Sequence, residues 1–222
     1  MPLDPQPFPV MCLTQDGAGA PHREQVALLC AAGARWIQLR MKDAPREAWL
    51  AEAAAASAQC RRHGALLVVN DSVDVALESG ADGVHLGRLD GDWRGARRRI
   101  GERRILGGTA NTPEEAARAA ASGCLDYVGV GPLRFTGTKT NLSPVLGLGG
   151  VRRLIGELRG LPAWVIGGVV PSDLADARGA GAAGVAVSSF LYRDAGVGEN
   201  LRALLEAWAR AGEPLRETAP LS

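Results

Sequence analysis

Two aspartates, Asp71 and Asp90, stand close behind the apolar runs LLVVN (66–70) and GVHLG (83–87) in the stretch NDSVDVALESGADGVHLGRLD. Carboxylates that end or follow adjacent strands can converge on one hard cation. Magnesium typically takes one or two of them, with water and phosphate oxygens completing its shell, and manganese accepts the same donors. For Asp71 alone the plainer reading is a helix N-cap before SVDVALESG; the second carboxylate and the cations nearby favour a single metal ion. Those cations lie in QLRMK (38–42), where alternation turns Gln38, Arg40 and Lys42 to one face and Leu39 and Met41 to the other. Like charges side by side at the end of a buried strand are costly without a counter-charge. An anionic ligand is therefore expected at that face.

A second group of residues also suits anions. FTGTKTN (135–141) gathers the hydroxyls of Thr136 and Thr138, the permissive Gly137 and the cation Lys139 in one loop. Such a loop can wrap a phosphate or diphosphate, although threonine-rich turns are common and the signal is weak by itself. VIGGVVPSD (165–173) and VAVSSF (185–190) add Gly167, Gly168, Ser188 and Ser189, whose backbone N–H groups can approach an oxyanion closely. Two anion sites follow. One, with a metal and the side chains of Arg40, Lys42 and Lys139, suits a diphosphate; the other, built from glycine and hydroxyl groups, suits a monophosphate. A diphosphate held by cations is a good leaving group, so its loss to leave a carbocation needs no strong base. Among the other candidates, His85 lies mid-strand and reads as a satisfied core histidine. His22 and His63 read as surface residues. The run RGARRRIGERR (94–104) lacks interleaved aromatics and reads as a solvated helix face, not a nucleic-acid patch.

Positioning these residues requires a repeating scaffold. The apolar runs VMCLTQ, WIQLR, LLVVN, GVHLG, RILGGT, YVGVG, AWVIGG and VAVSS alternate with stretches of helical period such as PHREQVALLCAAG, PREAWLAEAAAASAQCRRHG and TPEEAARAAASG. Eight strand and helix repeats in 222 residues, with continuously apolar strands, predict an α/β fold, a single-domain (β/α)8 TIM barrel. Short tails at about 1–8 and 212–222 are expected to fray. A doubly wound open sheet is the alternative, but LTQDGAG after the first run is not a G-x-G-x-x-G. In a barrel the chemistry sits at the C-terminal ends of the strands. There the second strand carries Gln38, Arg40 and Lys42, the third Asn70 and Asp71, the fifth Thr109, and the later ones the glycines and hydroxyls named above.

The 25 basic and 24 acidic side chains give a net charge of +1, so no overall field favours nucleic acid or an anionic membrane. No apolar segment reaches the length of a membrane span and no leader is read at the start. The expectation is a cytoplasmic protein acting on small molecules, with homo-oligomerisation left open. The scattered Cys12, Cys30, Cys60 and Cys124 read as reduced, mostly buried apolar residues.

Over roughly residues 10–205 the chain resembles the thiamine phosphate synthase family, on the motifs QLRMK, NDSVDVALESGADGVHLGRLD, GVGP followed by TGTK, VIGGV and GVAVSS in order. The resemblance implies a barrel enzyme that joins 4-amino-2-methyl-5-(diphosphooxymethyl)pyrimidine to 4-methyl-5-(2-phosphooxyethyl)thiazole. It implies that segment 38–42 (Gln38, Leu39, Arg40, Met41, Lys42), with Asn70, Thr109 and Lys139, holds the pyrimidine diphosphate, and that Asp71 and Asp90 hold one magnesium. It further implies that Thr136, Gly137, Thr138, Gly168, Ser188 and Ser189 hold the thiazole phosphate. The chain departs from the family pattern in GTANT, where Thr109 and Asn111 replace a serine and a histidine. It departs again at Arg134 and Phe135, where phenylalanine and proline are usual. A thiazole tautomerase on the same barrel is the runner-up, disfavoured by the presence of Asp90, Thr138 and Lys139 and the lack of a histidine at 111. A non-catalytic binder of thiamine phosphates would need no metal aspartates.

Overall fold

The computed structural model describes residues 8–42, 44–87, 92–135 and 144–212. Eight parallel strands close on themselves in sequence order: β1 Val10–Leu13, β2 Trp36–Leu39, β3 Leu66–Asn70, β4 Gly83–Leu86, β5 Ile105–Ala110, β6 Tyr127–Val130, β7 Ala163–Ile166 and β8 Gly184–Val187. Between and after them run α1 His22–Ala31, α2 Arg46–His63, α3 Val73–Glu78, α4 Trp93–Ile100, α5 Pro113–Ser122, α6 Gly147–Glu157, α7 Leu174–Gly179 and α8 Val197–Ala211. Closure is made by β1 against β8, with Met11 opposite Ala186. All eight expected strands are present, and the fold is the (β/α)8 barrel. The tails beyond residues 8 and 212 lie outside the described residues.

Alternation along each strand divides the core in two. One face packs outward under the helices, with Ile37, Leu39, Leu67, Val69, Val84, Leu106, Val128 and Val165 all buried there. The other fills the barrel with Met11, Trp36, Val68, Ile105, Tyr127 and Trp164. Trp36 meets Tyr127 edge-on at 4.9 Å and Trp164 at 4.8 Å, arrangements each worth about 0.5–1.5 kcal/mol beyond their area. Room for this plug comes from small neighbours: a Cβ on Gly107 would lie 2.2 Å from Tyr127 Cζ. Only glycine fits there.

Helix ends follow the local signals. Thr112 Oγ1 accepts from the N–H of Glu115 to start α5, and Gly64 and Gly123 end α2 and α5 in the left-handed conformation. At the N-terminal end of the barrel, Asp82 accepts the N–H of Leu67 at 2.8 Å and Asp126 that of Leu106 at 2.7 Å. Burial pushes the Asp82 carboxyl up from its ordinary value. Arg97, expected on a solvated helix face, is instead buried: it donates to the carbonyls of Cys124, Gly101 and Arg104 and pairs with Asp126 at 2.6 Å. Its neighbours Arg98 and Arg99 stay exposed, paired with Asp92 and Asp74. Cys12, Cys30 and Cys60 are buried free thiols, and burial holds Cys12 at about 12.

Candidate active site

At the C-terminal mouth the inward positions change from apolar to polar. Gln38 and Arg40 at the end of β2 are 3% and 7% exposed. The Gln38 amide donates to Met11 Sδ at 3.3 Å, close beside the buried Tyr127 phenol. That phenol is pushed up by burial and stays neutral. Leu39 and Met41 turn outward into the layer under the helices, so any share they take in binding is through the backbone. Lys42 Nζ lies 2.6 Å from Asp71 Oδ2.

Asp71 is not the helix cap. Ser72 caps α3, its hydroxyl accepting from the N–H of Val75 at 3.2 Å, and Asp71 precedes it with φ +63°. A non-glycine residue there costs about 1 kcal/mol or more. It is held by its own N–H, which donates to the His85 carbonyl at 2.8 Å. The His85 ring has Nδ1 3.0 Å from the Tyr127 hydroxyl and Nε2 2.9 Å from Thr109 Oγ1. It is the satisfied core histidine expected, and it fixes the Thr109 hydroxyl at the mouth. Thus Gln38, Arg40, Lys42, Asn70, Asp71 and Thr109 gather on the β2–β5 side.

The β6–β8 side is built differently. Gly167 and Gly168 follow β7 with φ +99° and +70°, and among the described residues no hydrogen bond uses the N–H of Gly168 or Ser188. Ser188 Oγ donates to Gln15 Oε1 at 3.1 Å, and Ser189 opens a short 3-10 turn, Ser189–Tyr192. Asp90, Thr136, Gly137, Thr138 and Lys139 lie outside the described residues. Backbone donors and the exposed Ser189 make this half suited to a phosphate.

The model of thiamine monophosphate synthase matches residues 9–191. The chain belongs to that family. It is 44% identical over 194 residues to the thiamine biosynthesis bifunctional protein ThiM/ThiE of Symbiobacterium thermophilum, covering 87% of this chain but 40% of that protein's length. It is 40% identical to the thiamine-phosphate synthase of Bacteroides thetaiotaomicron, over 77% of this chain and 83% of that one. Among solved structures, a thiamine phosphate pyrophosphorylase from Pyrococcus furiosus superposes with a TM-score of 0.82 at 29% identity, covering 93% of this chain and 98% of that chain. Members of the family are transferases acting on small molecules, and no helix of the described residues is long and apolar enough to cross a membrane.

Within the family frame, two positions stand out. Arg134 donates to Asp173 through both Nη atoms at 2.6 Å and to the Gly168 carbonyl at 2.8 Å. Asp173 also accepts the N–H of Val170 at 2.8 Å. The hydrogen bonds to Asp173 raise Arg134 further above its ordinary value. This guanidinium ties the loop after β6 to the loop after β7. His22, expected at the surface, is 8% exposed and sits between Thr14 and Asp16. Neither contact is visible in local periodicity, because each joins side chains across a loop.

The donors present fit a hard cation. Among the described residues no three His, Cys, Asp or Glu gather, and the carboxylate beside Lys42 on the β2–β5 side is Asp71. An ion there would draw the rest of its shell from water and from oxygens of an anionic substrate, which Lys42 and Arg40 would also attract.

Proposed function

We propose that this chain condenses 4-amino-2-methyl-5-(diphosphooxymethyl)pyrimidine with 4-methyl-5-(2-phosphooxyethyl)thiazole, releasing diphosphate and thiamine phosphate. The observation that carries the reading is the division of the mouth: Arg40, Lys42 and Asp71 on one side, and on the other the N–H groups of Gly168 and Ser188, which no hydrogen bond uses among the described residues. A diphosphate needs the first and a monophosphate the second.

In the reaction the methylene C–O bond breaks, its electron pair leaving with diphosphate, and the thiazole nitrogen then forms the new C–N bond. No proton has to be removed, so no general base is required. Arg40, Lys42 and Lys139 hold the departing charge, Asn70 and Gln38 orient the aminopyrimidine, and Thr109, set by His85, donates to it. The phosphate, held by Gly168, Ser188, Ser189, Thr136, Gly137 and Thr138, brings the thiazole nitrogen into line. Asp71 and Asp90 would hold one magnesium or manganese, which would neutralise the leaving diphosphate. We place the reaction in the cytoplasm, because phosphorylated precursors do not cross membranes unaided and must be made and used in one compartment.

The test is to incubate the protein with both substrates and magnesium and follow thiamine phosphate by its oxidation to fluorescent thiochrome. Formation that stops with EDTA and returns with magnesium is expected. No product from folded protein overturns the reading.

A further inference from the structure

The strand β1 leads into Thr14 and Gln15 at the mouth, to which no role attaches so far. Thr14 is 0% exposed. Its Oγ1 accepts the N–H of Arg40 at 3.0 Å and lies 2.8 Å from His22 Nδ1. His22 Nε2 is 3.0 Å from Asp16 Oδ1. The two ring nitrogens therefore bridge Thr14 to Asp16, and the N–H of Arg40 donates to the same Thr14 oxygen. The hydroxyl is thereby tied to both the Arg40 backbone and the His22 ring, which hold it in place.

Gln15 is fixed in the same manner from the other side. Its N–H donates to Gln25 Oε1 at 2.9 Å and its carbonyl accepts from Gln25 Nε2 at 2.9 Å, while Gln25 Nε2 also donates to the Ala20 carbonyl at 2.9 Å. Gln25 is 1% exposed. The Gln15 backbone is therefore clamped by one buried amide, and its side chain reaches out to accept from Ser188 Oγ at 3.1 Å. Because Ser188 spends its hydroxyl proton on Gln15, it offers the phosphate its backbone N–H. Tyr192, from the turn that Ser189 opens, donates to the Leu13 carbonyl at 3.1 Å and ties the same two segments together.

We infer that the loop after β1 is a two-armed brace, in which Thr14 positions Arg40 for the diphosphate and Gln15 positions Ser188 for the monophosphate, with His22 and Gln25 of α1 locking both arms. The inference rests on the substrate reading above. Thr14 and Gln15 are positioning residues and touch no reacting atom. Adjacent in sequence, they act on opposite halves of the mouth, and α1 is the shared support.

The brace predicts a split that general loosening would not produce. Steady-state kinetics with each substrate varied in turn should show Thr14→Val raising KM for the pyrimidine diphosphate about five- to tenfold, the effect of one lost positioning hydrogen bond, with KM for the thiazole phosphate unchanged. Gln15→Met should do the reverse, and Thr14→Ser, which keeps the hydroxyl, should restore wild-type values. Gln15 is only partly buried, so its variant remains informative if Thr14→Val does not fold. Equal changes in both KM values, or no change in either, would overturn the brace. Should the wild-type protein make no thiamine phosphate, the functional reading fails by itself. Calorimetric binding of inorganic diphosphate and inorganic phosphate to the same variants then decides the brace: a split between the two ions supports it, and none refutes it.

Discussion

The two ends of this barrel use carboxylates in opposite ways. At the N-terminal end Asp82 and Asp126 each take a backbone N–H from a neighbouring strand, and Asp126 also neutralises the buried Arg97. At the mouth Asp71 is held at a strained backbone angle, leaves the helix cap to Ser72 and faces Lys42. The first arrangement satisfies the chain and leaves nothing for a ligand. The second sets a carboxylate beside a lysine at the open end of the barrel. An acid's surroundings, not its type, separate a structural carboxylate from one that can serve chemistry.

Substitution should separate the two ends. The largest effect on rate is expected from Asp71→Asn: kcat should fall by at least about a hundredfold, the cost of one preorganised electrostatic group. Thiazole phosphate affinity and unfolding free energy should stay near wild type, as calorimetry and denaturant titration would read. An equal loss of thiazole phosphate binding would erase the division of the mouth. Asp126→Ala should invert that pattern. Leaving Arg97 without its counter-charge should cost about 3 kcal/mol of stability, measured by urea unfolding, while KM for both substrates stays put; a selective change in one KM would deny that the N-terminal end is purely structural.

The halves of the mouth give the finest contrast. Gly168 adopts φ +70°, and a Cβ there would lie 2.5 Å from Arg134 Cγ, so Gly168→Ala should strain the turn whose N–H we assign to the phosphate. KM for the thiazole phosphate should rise roughly fivefold, what about 1 kcal/mol of lost hydrogen bonding is worth, with the pyrimidine diphosphate unaffected. An unchanged KM would remove Gly168 from the phosphate site.

Much of this architecture is legible in the sequence because it is local. The strand runs, the glycine stops of α2 and α5 and the inward turn of Gln38 and Arg40 follow from short-range periodicity, and the eight strands lie where the apolar runs predict them. His85 was also readable, since a histidine inside an apolar strand has to find partners, and it finds Tyr127 and Thr109. What stayed hidden is long-range. His22 looks like a surface residue at the start of a helix until Thr14 and Asp16 close around it. Arg97 looks solvated until Asp126 arrives from 29 residues away, and Arg134 finds Asp173 across 39. The role of the β1 loop was hidden for the same reason, because Ser188 and Gln15 are 173 residues apart.

Two separate anion sites at the mouth can be told from a single shared one by binding, without turnover. Thiazole phosphate should be titrated calorimetrically into the protein alone and into protein saturated with magnesium and inorganic diphosphate. One thiazole phosphate per chain is expected, with the same affinity in both titrations. If diphosphate abolishes thiazole phosphate binding, the two ions share one site and the division fails.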